Sequence, residues 1–199
     1  MSSGGWGLAR LPAVLAAMSV WAQPLAVRLE GDYLRVSASP LGILRGQALE
    51  RLHNGAPAAF AFQLTAAADR QAGYLLRDVQ RFIFSYDLWE EKFAVMRLGH
   101  PRRSISHLSA PLAEAWCVDQ MSLKTGSLAA GQPFWVRLEV RFEAHREEVA
   151  EEEAGVSLAR LIELFSRRSR RQEGARVLEV GPLRLEQLRN SPARSTGAK

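Results

Sequence analysis

Hydrophobic residues recur at every second position over much of this chain, and the runs are separated by glycine, proline, asparagine or aspartate. That is the pattern of half-buried antiparallel strands joined by short turns. In "PLAVRLEGDYLRVSAS", Val27 and Leu29 alternate with Arg28 and Glu30, and Leu34 and Val36 alternate with Arg35 and Ser37. Gly31-Asp32 between them predicts a hairpin. "AAFAFQLTA" sets Phe60, Phe62 and Leu64 against Ala61, Gln63 and Thr65, a strand with one buried face. In "YLLRDVQRFIFSYDL", Leu76, Phe82, Phe84, Tyr86 and Leu88 share one parity. The polar pair Asp78 and Gln80 interrupts that face, and a bulge is expected there. "FAVMRL" continues as the next strand. With Asp87 facing Lys92, the register places Tyr86 opposite Phe93 and Phe84 opposite Val95, and leaves Leu88-Trp89-Glu90-Glu91 as a four-residue hairpin loop. The clearest strand is "PFWVRLEVRFEA": Phe134, Val136, Leu138, Val140 and Phe142 occupy one face, and Trp135, Arg137, Glu139, Arg141 and Glu143 the other.

Helical spacing replaces alternation in three places. Ser39 as cap, Pro40 in the first turn, and Leu41, Leu44, Ala48 and Leu52 at helical intervals predict a helix from Pro40 that stops at Asn54-Gly55. "HPRRSISHLSAPLAEAWCVDQM" predicts a loop followed by a short helix capped by Ser109. In "VSLARLIELFSRRSRR", Leu158, Leu161, Ile162 and Phe165 form an apolar stripe that ends in four arginines, predicting an amphipathic helix whose last turn carries the cations its dipole favours. "ARVLEVGPLRLEQL" reads as a final extended segment broken at Gly181-Pro182, suited to a sheet edge. Seven to nine strands with short connections predict a mainly β fold: an antiparallel β-sandwich or partly closed barrel with two or three inserted α-helices.

Composition narrows this picture at the chain's ends. One positive charge in the first ten residues, the apolar run "LPAVLAAMSVWA" and Ala22 before Gln23 predict a secretory signal peptide over residues 1–22. The run is shorter than the ~20 residues a membrane-spanning helix needs. Residues 23–189 then form a single β-rich domain and 190–199 a disordered tail. Localisation is expected in the periplasm or outside the cell. The basic excess gathers beyond residue 156, where ten arginines and lysines stand against four acidic residues in a chain of net charge +5, and no aromatic residues interleave with the arginines of 167–171. This argues against nucleic acid as a partner and leaves peripheral membrane contact through Arg167–Arg171 open.

Candidate chemistry is sparse. The single cysteine, Cys117, cannot form an internal disulfide, a CxxC motif or a cysteine metal site, and its setting in "LAEAWCVDQM" predicts a buried structural thiol. His53, His100, His107 and His145 fall in loops or at element ends, His100 and His107 in the same loop, and no HExxH joins them. G-x-S-x-G, P-loop and G-x-G-x-x-G motifs are lacking too, so neither an enzyme nor a cofactor or metal is expected. Asp87, Glu90 and Glu91 could be paired carboxylates for acid–base work, but a hairpin tip is wet and poor at raising a carboxyl pKa. Exposed indoles beside charged residues are instead the mark of protein interfaces. Trp89, Glu90 and Glu91 in the tip loop, with Trp135 on the charged face of its strand, are the candidate partner-binding residues. Each ring could alternatively lie flat on its own sheet.

The helix "LERLHNGAPAAFAF" running into a strand, then "RFIFSYDLWEEKFAV", "LSAPLAEAW" and "GQPFWVRLEVRFE", resembles a family of exported bacterial proteins known only as a domain of unknown function. In proteobacteria its members are often encoded beside a nitrogen-regulation-type sensor kinase. The resemblance covers residues 26–144; this chain lacks the family's tryptophan-containing final strand and carries an arginine-rich segment instead. It implies export and a mostly β domain, and supplies no catalytic residue. The expected function is that of a non-enzymatic envelope protein that binds a protein partner, in an accessory or sensor-input role. The alternative is a carrier or chaperone for a lipid or other apolar ligand, with the phenylalanines of 58–66 and 134–142 lining a cavity.

Overall fold

The alternating runs fold as strands, every pair of them antiparallel. The computed structural model describes residues 25–38, 40–71, 73–129, 131–143 and 175–190. The expected signal peptide, the Ser39 cap, the amphipathic segment 157–171 with Arg167–Arg171, His145 and the tail beyond 190 lie outside the described residues. Within them the order is β1 (Leu25–Glu30), β2 (Tyr33–Ala38), α1 (Gln47–His53), β3 (Ala58–Ala67), β4 (Tyr74–Asp87), β5 (Lys92–Leu98), β6 (Arg103–Leu108), α2 (Ala110–Asp119), β7 (Ser122–Lys124), a 3-10 turn at Thr125–Ser127, β8 (Phe134–Glu143), β9 (Arg176–Leu183) and α3 (Leu185–Asn190).

The strands form two open sheets. One has the order β1-β2-β7, the other β6-β5-β4-β3-β8-β9. Among the described residues neither sheet closes on itself, so the architecture is sandwich-like and not a barrel. The inner face of the large sheet is made by the even-numbered residues of β3, β4 and β8. Phe60, Phe62, Phe82, Phe84, Phe134 and Leu138 are all fully buried there. Phe60 meets Phe84 edge-on with ring centroids 5.1 Å apart, and Phe62 meets Phe82 at 5.0 Å. The small sheet, α1 and α2 cover this face: Leu34, Val36, Leu52, Ala113, Cys117 and Leu123 belong to the same core, and Trp116 of α2 stands 6.0 Å from Phe82. Each fully buried large apolar side chain stabilises the sandwich by roughly 1.5–3 kcal/mol relative to exposure.

Four expectations are corrected by contacts between distant parts of the chain. The first helix begins at Gln47 and not at Pro40, because Gly42 and Gly46 adopt φ of 64° and 54°, which a right-handed helix cannot pass through. Leu41 and Leu44 are buried all the same. Residues 42–44 curl around the carboxylate of Glu114, itself 3% exposed. Gly42 N–H donates to Oε2 at 2.9 Å, and Ile43 and Leu44 N–H donate to Oε1 at 2.8 and 3.3 Å. A buried carboxylate is tolerable when such donors replace its water.

Asp78 and Gln80 produce no bulge either. They pair in register with Leu64 and Phe62, and the shift between β3 and β4 falls at Ala66/Ala67. Asp78 lies on the inner face, where its Oδ2 accepts the N–H of Ser122 in β7 at 3.2 Å and its Oδ1 accepts Gln80 Nε2 at 2.9 Å. The polar break in the pattern is thus a hydrogen-bonded seam between the sheets. Residues 103–108, expected as loop, form edge strand β6 against β5, with a register shift between Phe93 and Val95. His107 accordingly lies on a strand, apart from His100. At the other edge β9 runs through Gly181-Pro182, which together oppose Trp135 in a bulge, and "LEQLRN" closes into α3 instead of extending.

Candidate partner-binding surface at the hairpin tip

β4 and β5 meet in the register the sequence predicts: Asp87 opposite Lys92, Tyr86 opposite Phe93 and Phe84 opposite Val95. The Tyr86 and Phe93 rings lie 4.8 Å apart, and His53 of α1 packs on Tyr86 at the same separation. Cross-strand pairs of this kind contribute roughly 0.2–1 kcal/mol each and hold the hairpin rigid up to its last pair.

Beyond that pair the loop Leu88–Glu91 is held from inside. Asp87 Oδ1 accepts the N–H of Trp89 at 2.8 Å and of Glu90 at 3.1 Å, an aspartate turn that reproduces a backbone turn with a side chain. The N–H groups of Glu90 and Trp89 hold the Asp87 carboxyl below the usual carboxylate range. Glu91 closes the loop at φ 53°, a left-handed conformation that costs a non-glycine residue roughly 1–2 kcal/mol. β6 braces the tip from the side. Its His107, also left-handed at φ 62°, places Nε2 3.0 Å from Glu90 Oε2, and Ser106 Oγ lies 2.9 Å from its Nδ1. The pair is ionic whenever the imidazole carries its second proton.

The loop therefore presents its side chains to solvent from a fixed backbone. Trp89 is 96% exposed and Leu88 56%. Leu88 continues the inward parity of β4 and on that pattern belongs in the core; the turn carries it past the end of the sheet. Leu112, in the first turn of α2 just after β6, is exposed as well.

Trp135 is placed otherwise. It is half-buried, the Arg70 guanidinium carbon lies 4.1 Å from its ring centroid, and Arg70 Nε is 2.6 Å from Glu179 Oε1. Gly181 leaves the ring its room, since a Cβ there would stand 2.7 Å from Trp135 Cδ2. The two candidate tryptophans are not brought together. Trp135 opposes Ala67, which pairs with Tyr74 at the start of β4, whereas Trp89 follows the last residue of that strand. Its 14 residues separate them by about 45 Å at ~3.3 Å per residue. Glu90 and Glu91 stay with Trp89. Leu88, which the expected register already leaves in the loop, and His107 complete this surface; His107 is invisible to pattern reading because its place depends on the β5–β6 register.

The remaining chemistry is structural. Cys117 is wholly buried, and burial, then the Glu114 carboxylate, pushes its thiol well above the ordinary range, so it stays protonated and unreactive. Among the described residues no three His, Cys, Asp or Glu side chains converge as metal ligands. Phe60 of β3 packs on Phe142 of β8 with ring centroids 5.3 Å apart, and Phe62 and Phe134 are fully buried in the same core. A shallow open depression of about 270 Å³ lies on the outer face of the large sheet, where Ile83, Ser85, Ala94, Met96, Ser104 and Ser106 are among its walls. Compared with known proteins, the chain matches no family model, no curated protein and no solved structure, so its functional reading rests on the geometry of its own residues.

Proposed function

We propose that this is an exported, non-enzymatic β-rich protein of the bacterial envelope, periplasmic or extracellular, that binds a protein partner through the tip of the β4–β5 hairpin in an accessory or sensor-input role. The observation that carries the reading is Trp89, 96% exposed on a loop whose backbone is already fixed by Asp87 and flanked by the His107–Glu90 pair. Burying an indole removes roughly 150–250 Å² from water, about 4–6 kcal/mol at ~25 cal/mol per Å². Immobilising one side chain on binding costs only about 0.5–1.5 kcal/mol, and a preformed loop adds little to that. A protruding, rigid aromatic anchor is the form in which a few residues come to dominate an interface. Export is supported by the pattern of residues 1–22.

A photo-crosslinking amino acid at position 88, introduced in cells that express the full chain, is the test. One dominant crosslinked protein, lost in the Trp89→Ala variant, is the expected result. Absence of any crosslink, or capture unchanged by Trp89→Ala, removes the reading.

A further inference from the structure

Resting on that reading, we infer the chemistry of the partner: a protein surface with a narrow apolar slot for Trp89, rimmed on one side by an arginine or lysine that pairs with Glu91. The chain as a whole is basic at +5, yet its protruding tip is acidic, with Asp87, Glu90 and Glu91 against Lys92. The three carboxylates are not equivalent. Asp87 is occupied by the N–H groups of its own turn and Glu90 by His107. Glu91 is exposed, and no hydrogen bond or ion pair involves its side chain among the described residues. It also holds the left-handed position of the loop, φ 53°, where glycine or asparagine would be relaxed. A strained residue with an uncommitted charge, two positions from a solvated indole, is what a recognition element offers.

The sign of that charge selects the occupant. An anionic tip is repelled by the negative surface of a bilayer, so the exposed leucine and tryptophan do not serve as a membrane anchor. A cation facing Glu91 at the rim would chiefly set the association rate and the salt dependence.

The partner identified through position 88 would be purified and titrated with the full chain carrying Trp89→Ala, Glu91→Gln or Glu91→Gly, in about 0.05 M and about 0.5 M salt. Glu91→Gln is expected to weaken binding about fivefold at low salt and much less at high salt, where screening shortens the reach of exposed charges. Glu91→Gly is expected to weaken binding equally while raising the melting temperature, a combination that separates lost recognition from lost folding. Trp89→Ala is expected to weaken binding more than either at both salts. If both Glu91 variants bind like wild type while Trp89→Ala does not, the cationic rim is overturned and the hairpin reading stands. If Trp89→Ala also binds like wild type, both fall. Phosphatidylcholine vesicles, with and without phosphatidylglycerol, supply the other arm. A blue shift in tryptophan fluorescence that is absent in Trp89→Phe would make the bilayer the occupant and overturn the inference.

Discussion

Trp89 and Trp135 stand at opposite ends of the large sheet, each beside acidic and basic residues, and each is what a search for exposed indoles picks out. Their environments differ completely. Trp135 rests under Arg70 and over the bare α-carbon of Gly181, on a strand paired on both sides. Trp89 projects from a loop stabilised through its backbone, so its ring is left without work in the fold. A tryptophan on a charged strand face finds neighbours one strand away on either side, whereas Trp89 lies past the last cross-strand pair, Asp87 with Lys92, and its ring stays exposed. Position in the sheet, and not local composition, divides the structural indole from the functional candidate.

The sharpest way to break this contrast is Gly181→Ala. The added Cβ would meet Trp135 Cδ2 at 2.7 Å and Phe134 O at 3.0 Å, in a backbone conformation of φ 154°. A loss of about 3 kcal/mol or more is expected in chemical denaturation; wild-type stability would mean that Trp135 is not seated there. Trp135→Ala comes next, at about 2 kcal/mol for a half-buried ring, read from the same denaturation midpoint. Arg70→Ala removes the cation above the ring together with its exposed ion pair to Glu179, and thermal melts should register about 0.5–1 kcal/mol. Trp89→Ala should fall within about 0.5 kcal/mol of wild type. A larger loss at position 89 would erase the distinction between the two rings.

The smallest effect concerns pH at the tip. The Asp87 carboxyl titrates below its ordinary value because the ionised form accepts the N–H groups of Glu90 and Trp89. A depressed native pKa means that the carboxylate's contribution is present in full above the unfolded-state value, ~3.9, and is lost as pH falls through the native one. The Trp89 and Glu90 amide resonances should therefore move together in the acid range, below the ordinary aspartate pKa, while core amides of β3 stay in place. Movement at or above the ordinary value would mean that the turn is not held by Asp87.

Much of the sheet was legible in the sequence because alternation is local. The faces of β3 and β8 follow from their own residues, and the β4–β5 register follows from the opposite charges of Asp87 and Lys92 and the aromatic pair behind them. The start of α1 was not legible, since the partner that draws residues 42–44 out of a helix is Glu114, 72 residues from Gly42. Asp78 looked like a fault in a strand, when it holds an edge of the second sheet through Ser122, 44 residues away. β6 was missed because "RSISHL" carries too few apolar side chains to alternate, and it is a strand only because the edge of β5 needs backbone partners.

The candidate site divides along the same line. Sequence alone determined that Trp89, Glu90 and Glu91 share a hairpin loop closed by Asp87 and Lys92, because turn chemistry and cross-strand pairing act over a handful of residues. Only the tertiary structure decided that Trp135 is covered while Trp89 is not, and that His107 comes to rest beside Glu90. Those outcomes depend on which strands become neighbours and where each strand ends, and pairings between distant segments leave no periodic trace in the chain.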